Sequence, residues 1–67
     1  MIKNKLSEIL GRKRMFQTEL SRLSGISYSA IKKLYKDETK SIEFDTLNKL
    51  CKTLECTPND ILEYIPD

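Results

Sequence analysis

A chain of 67 residues, with 39% hydrophobic and 33% charged residues, has the composition of a small globular domain and not of a disordered segment. No apolar run approaches the roughly 20 residues of a membrane span, which argues against an integral membrane protein. Residues 1–5 lack the apolar stretch of a secretory signal. We therefore expect one domain over residues 1–67, located in the cytoplasm and without contact to a membrane.

Positive charge is concentrated in the first part of the chain. Residues 1–40 hold ten Lys and Arg against four acidic residues, whereas residues 41–67 hold two Lys against six acidic residues. The net charge is only +2, but this asymmetry suggests a basic surface that faces phosphate. Lysines that merely solvate helix faces would give the same pattern, so charge alone leaves both interpretations open.

The spacing of apolar residues predicts helix 1 from Lys3 to about Lys13 and the start of helix 2 near Gln17. Helix 2 is expected to begin without a side-chain cap, because Phe16 stands where Ser, Thr or Asn is favoured. A cluster of small and polar residues then predicts the end of helix 2.

Ser24-Gly25 is a helix-stop signal, because Gly accepts the left-handed conformation that ends a helix. Ser27 is suited to cap the helix that follows, which we predict over residues 28–36. Its inner side carries Ile31 and Leu34. Its outer side is polar, basic and nearly free of acidic residues: Tyr28, Ser29, Lys32, Lys33 and Lys36. Two short helices joined at a tight turn, the second with such a face, are typical of a helix-turn-helix that enters the DNA major groove.

Two more helices complete the chain. Helix 4 is predicted over residues 44–54, with an apolar stripe formed by Phe44, Leu47, Leu50, Cys51 and Leu54. Thr57, Pro58 and Asp60 form a capping box that opens helix 5. The apolar face of helix 5 is expected to consist of Ile61, Leu62 and Ile65. Because nothing alternates with a period of two residues, we predict an all-α fold.

The cysteines and the missing histidine limit the chemistry that the chain can perform. Cys51 and Cys56 are too few for a disulfide scaffold, and a cytosolic protein keeps them as thiols. Zinc needs about four ligands and the chain has no histidine, so we expect no metal and no cofactor. We expect no basic partner for either thiol, and no glycine-rich phosphate loop is present, so we predict that the chain is not an enzyme.

The order and spacing of these motifs resemble the Cro/XRE family of helix-turn-helix DNA-binding domains. QTEL at 17–20 resembles the family's Q-x-E-L opening of helix 2, and GIS at 25–27 resembles its G-[VI]-[ST] turn. Ser21 stands where the family usually has Ala, and Asp37 stands where many relatives have Gly after helix 3. The resemblance implies a compact five-helix repressor-like domain, with the helix-turn-helix formed by helices 2 and 3.

The resemblance also implies a function and the residues that perform it. We expect sequence-specific binding of double-stranded DNA by a small transcriptional regulator, interpreted as a repressor, with the recognition helix 28–36 in the major groove. Four side chains are implied to face the bases: Ser27, Tyr28, Ser29 and Lys33. Contacts to the DNA backbone are implied for Gln17, Thr18, Lys36 and Lys40, with Lys32 between the two classes.

The sequence indicates a second copy of the chain as a partner and leaves a protein partner as an alternative to DNA. A homodimer on a palindromic site is expected, with Ile61, Tyr64 and Ile65 of the helix 5 region as the pairing surface. Packing of Ile61 and Ile65 inside their own chain is equally compatible with the sequence. The alternative to DNA binding is a protein-interaction module of the same fold, of the antitoxin or antirepressor type, which would bind a protein and not DNA.

Overall fold

The computed structural model describes all residues from Met1 to Asp67. Five helices and two short strands follow one another along the chain. Their bounds are β1 Ile2–Asn4, α1 Leu6–Lys13, α2 Gln17–Ser24, α3 Tyr28–Tyr35, α4 Phe44–Leu54, α5 Pro58–Ile61 and β2 Leu62–Tyr64.

Ten aliphatic side chains form one buried core to which every helix contributes: Leu6, Ile9, Leu10, Leu20, Ile26, Ile31, Leu34, Leu50, Leu54 and Ile61. No polar or charged residue is buried among them. Helix α2 packs against both α3 and α4, and α1 packs against α3 and α5. Because each helix is too short to be stable by itself, these contacts hold the α2–α3 pair in place.

The all-α prediction is wrong at the two ends of the chain. Strands β1 and β2 form an antiparallel pair, in which Ile2 lies opposite Tyr64 and Asn4 lies opposite Leu62. Helix 1 therefore begins at Leu6 and not at Lys3, and helix 5 ends before Leu62. Each strand has only three residues, which is too short for alternation to be visible in the sequence.

Asn4 links this sheet to two helices. Its Oδ1 accepts a hydrogen bond of 2.8 Å from the Leu6 N–H at the start of α1. Its Nδ2 donates to the Leu34 carbonyl oxygen near the end of α3. One side chain thus fixes the N-terminal strand to both α1 and α3.

Helix α4 has the predicted bounds, but the predicted apolar stripe is one residue too long. Leu50 and Leu54 are buried, and Leu47 and Cys51 pack against the core. Phe44, at the first position of the helix, is 89% exposed and lies outside the core. The apolar stripe of α4 therefore begins at Leu47.

Candidate nucleic-acid interface

The connection between α2 and α3 has the predicted helix-stop and helix-start geometry. Gly25 has a φ of 78°, in the left-handed region, and its N–H donates to the Ser21 carbonyl oxygen at 3.0 Å. The Ser27 hydroxyl oxygen accepts a hydrogen bond of 3.2 Å from the Ala30 N–H. Ser27 is therefore the N-cap of α3, as predicted from the sequence.

Two serines fix the turn between these helices by hydrogen bonds that were not predicted from the sequence. The Ser21 hydroxyl donates to the Ile26 carbonyl oxygen at 2.6 Å. The Ser24 hydroxyl oxygen accepts a bond of 3.2 Å from the Ile26 N–H. Both polar backbone groups of Ile26 are thereby paired while its side chain is buried. The turn is held by hydrogen bonds as well as by packing.

Helix α3 divides into a buried and an exposed side. Ile31 and Leu34 are buried in the core. Tyr28 is 46% exposed, and the other four outer positions are exposed as well: Ser29, Lys32, Lys33 and Lys36. The first turn holds no acidic residue. The outer face of α3 is therefore polar, basic and accessible to a ligand.

The lysines of this face have no acidic partner. The chain contains three ion pairs, which join Met1 to Asp67, Lys3 to Glu8 and Lys49 to Asp45. None of these pairs involves a cation of α2, of α3 or of the loop that follows α3. An anionic ligand would consequently not have to displace an internal salt bridge from them.

The structure brings Ser29 and Lys33 together in one recess of about 230 Å³. Three further hydroxyl side chains line the same recess, namely Thr39 and Ser41 of the loop after α3 and Thr46 of α4. These three residues were not predicted from the sequence, because no local pattern places a following loop or helix beside the face of α3.

The residues expected to bind the DNA backbone lie at three places. Lys32 and Lys36 are on α3 and its C-terminal cap. Lys40 lies in the loop after α3 and lines a neighbouring recess with Ile2, Leu34 and Leu62. Gln17 and Thr18 form the start of α2.

Helix α2 starts without a side-chain cap, as predicted, because Phe16 offers no acceptor. Thr18 is exposed on the first turn, and Gln17 is half-buried. The Gln17 Oε1 is buried without a hydrogen-bond donor. The Nε2 group is the hydrogen-bond donor of this side chain. The first backbone N–H groups of α2 are also free of side-chain acceptors, and such groups favour anions.

No three metal-ligating side chains of the chain come together. None of the helices is both long and apolar enough to span a membrane.

Comparison with known proteins identifies the family. A family model described as the Cro/C1-type HTH DNA-binding domain matches residues 5–67. The chain belongs to this family. The sequence is also similar to a protein of Bacillus subtilis (strain 168) named "Uncharacterized HTH-type transcriptional regulator YozG". The two are 42% identical over 59 residues, which are 88% of this chain and 70% of the relative. The family resemblance seen in the sequence is thus confirmed, and this helix-turn-helix domain is a DNA-binding domain.

Proposed function

We propose that this chain is a transcription regulator that binds specific sequences of double-stranded DNA, with α2 and α3 as its helix-turn-helix. The observation that carries the proposal is the outer face of α3, which is exposed, basic and free of internal ion pairs. A helix with such a face fits the major groove, where base edges can be read. The relative named as a transcriptional regulator supports the same role.

The proposed base contacts come from the first two turns of α3. Lys33 can donate to the O6 and N7 atoms of guanine, and Tyr28 can contact a thymine methyl group. The hydroxyl oxygen of Ser27 already accepts the Ala30 N–H, so this hydroxyl is proposed to act as a donor. Ser29 completes the set, next to Lys33 in the recess beside α3.

The proposed backbone contacts surround this face. Gln17 and Thr18 would bind phosphate at the start of α2, where the amide groups of the first turn point in the same direction. Lys36 and Lys40 would bind phosphate beyond the end of α3, and Lys32 between the two groups. Phosphate contacts supply affinity that depends on salt, whereas base contacts supply sequence preference.

Selection from random duplex DNA at two salt concentrations tests the proposal, with the Lys33→Ala and Lys36→Ala variants compared with the wild type. Lys33→Ala should relax the sequence preference at one position. Lys36→Ala should weaken binding to all sequences equally and lower the salt slope by about one unit. Lys52→Ala, on the exposed side of α4, removes the same charge and should leave both quantities unchanged.

Two outcomes would contradict the proposal. If no motif is enriched and DNA affinity does not depend on salt, the chain is better described as a protein-interaction module of the same fold. If Lys33→Ala and Lys36→Ala change specific and nonspecific binding in the same proportion, the division between base and backbone contacts is wrong.

We further propose that the regulator is a repressor that occupies its operator as a homodimer. Two of the three residues expected at the pairing surface are poorly accessible, because Ile61 is fully buried in its own core and Ile65 is half-buried. Tyr64 is 68% exposed on β2, opposite Ile2, which is 63% exposed. We propose that this exposed apolar pair, at the end of the helix 5 region, contacts the second copy. Light scattering that finds one copy in solution and one copy on the DNA would refute the dimer.

A further inference from the structure

The end of α4 brings the two cysteines of the chain together. Glu55 adopts a left-handed conformation with a φ of 52°, and the Cys56 N–H donates to the Cys51 carbonyl oxygen at 3.0 Å. This bond from the second residue after a helix to its last turn defines a Schellman motif. In this motif the side chains of the two bonded residues commonly touch, so the geometry favours contact between the thiols.

The same motif at the end of α1 shows what usually occupies these two positions. Arg14 has a φ of 53°, and the Met15 N–H donates to the Leu10 carbonyl oxygen at 3.0 Å. Leu10 is buried, and Met15 packs against the core. At the end of α4 two thiols stand in place of this apolar pair.

The surroundings of the thiols allow chemistry there. Both cysteines are free, half-buried and packed against the core. Burial, followed by the neighbouring Cys51, raises the pKa of the Cys56 thiol, in agreement with close contact between the two side chains. Cys56 also lines a recess of about 280 Å³ that Arg12 and Lys13 border, so a small reagent can approach it.

We propose that Cys51 and Cys56 form an oxidation site that closes to an intrachain disulfide by exchange with a low-molecular-weight disulfide. The Cys56 thiolate attacks the reagent, forms a mixed disulfide and releases one small thiolate. The Cys51 thiolate then attacks the Cys56 sulfur and releases the second. Two electrons pass from the protein thiols to the reagent, and the two protons end on the released small thiols.

Oxidation at this site would connect the end of α4 to the turn that leads into α5. Helix α4 packs against α2, so the bond would stabilise the support of the α2–α3 pair. None of the residues that line the recess belongs to the proposed DNA contacts. The site therefore does not depend on the proposed function, and we expect DNA affinity to change by less than about twofold on oxidation.

The test starts from the reduced full-length chain in excess oxidised glutathione, with remaining thiols trapped by iodoacetamide and intact masses recorded. The wild type should lose two hydrogens and carry neither glutathione nor an alkyl group. Cys51→Ser, which retains the approachable Cys56, should end as a glutathione adduct. Because the pKa of Cys56 is raised, closure should accelerate as the pH rises above neutral. Wild-type chains that end as glutathione adducts, as linked dimers or with both thiols alkylated would overturn the proposal.

A second measurement separates native geometry from mere proximity in sequence. The equilibrium between the dithiol and the disulfide is measured in a glutathione redox buffer, once under native conditions and once in urea. If the fold holds the thiols together, the effective concentration of one thiol at the other should be at least about tenfold higher in the native chain. By linkage, the oxidised chain should also melt at a higher temperature than the reduced chain. An effective concentration that is equal or lower in the native chain would refute preorganisation by the fold.

Discussion

Removing the Asn4 side chain should loosen the C-terminal end of the proposed recognition helix from a position far away in sequence. Asn4→Ala deletes the acceptor of the Leu6 N–H and the donor to the Leu34 carbonyl oxygen. Leu34 is the last buried residue of α3, so the second bond connects the end of this helix to β1. The sheet, α1 and α3 therefore all lose a shared contact.

The magnitude follows from the two bonds. Asn4 is half-buried, so water can replace part of each lost partner. With a net contribution of about 1 kcal/mol for each bond, the free energy of unfolding should fall by about 2 kcal/mol. For a domain of this size the melting temperature should fall by about 8–16 °C.

Urea unfolding followed by circular dichroism measures this change, and the slope of the transition should stay the same. Asn4→Asp retains an oxygen for the Leu6 N–H but presents another oxygen to the Leu34 carbonyl, so it isolates the bond to α3. We expect it to lose at least about 1 kcal/mol. Asn48→Ala, exposed on α4, is the matched control and should change stability by less than about 0.5 kcal/mol. An Asn4→Ala variant as stable as this control, or an Asn4→Asp variant as stable as the wild type, would refute the reasoning.

Two further predictions concern the ends of α4 and α5. Glu55→Gly should stabilise the chain by about 0.5–1 kcal/mol in urea unfolding, because Glu55 holds a φ of 52° that Gly adopts without strain. An unchanged or lower stability of the variant would show that this conformation is not strained. Hydrogen bonds from the backbone N–H and the hydroxyl of Thr57 lower the pKa of Asp60. The charged carboxylate therefore stabilises the fold above its unfolded pKa, and this contribution is lost as the pH falls through the lower, folded pKa. Melting curves should show Asp60→Ala below the wild type at neutral pH and level with it at about pH 2, whereas a deficit independent of pH would contradict a role of the charge.

Much of the candidate interface could be predicted from the sequence, because local rules decide it. The stop at Gly25, the cap at Ser27 and the burial of Ile31 and Leu34 depend on residues within a few positions of one another. Here these short-range preferences and the helical periodicity of the apolar residues predict the same helices. The bounds of α4 were also predicted correctly.

The remaining features depend on contacts between distant residues. Strand β1 ends at Asn4 and strand β2 begins at Leu62, 58 positions later, and each strand contains only three residues. Neither strand is stable or recognisable without the other, and apolar residues in such a short segment fit a helix equally well. The hydroxyls beside Lys33 were missed for the same reason, since they belong to a different segment of the chain.

The end of α3 shows how the chain forms a helix end at a position where it departs from the family pattern. Asp37 stands where many relatives have Gly, yet it adopts the left-handed conformation with a φ of 60°. The Glu38 N–H donates to the Lys33 carbonyl oxygen at 2.9 Å, and the Asp37 N–H donates to that of Leu34 at 3.1 Å. The chain thus forms the same kind of helix end at a small conformational cost, since Asp tolerates this region better than most residues. Because the Leu34 carbonyl also accepts the Asn4 amide, the N-terminal strand helps to stabilise the helix end that glycine would otherwise favour.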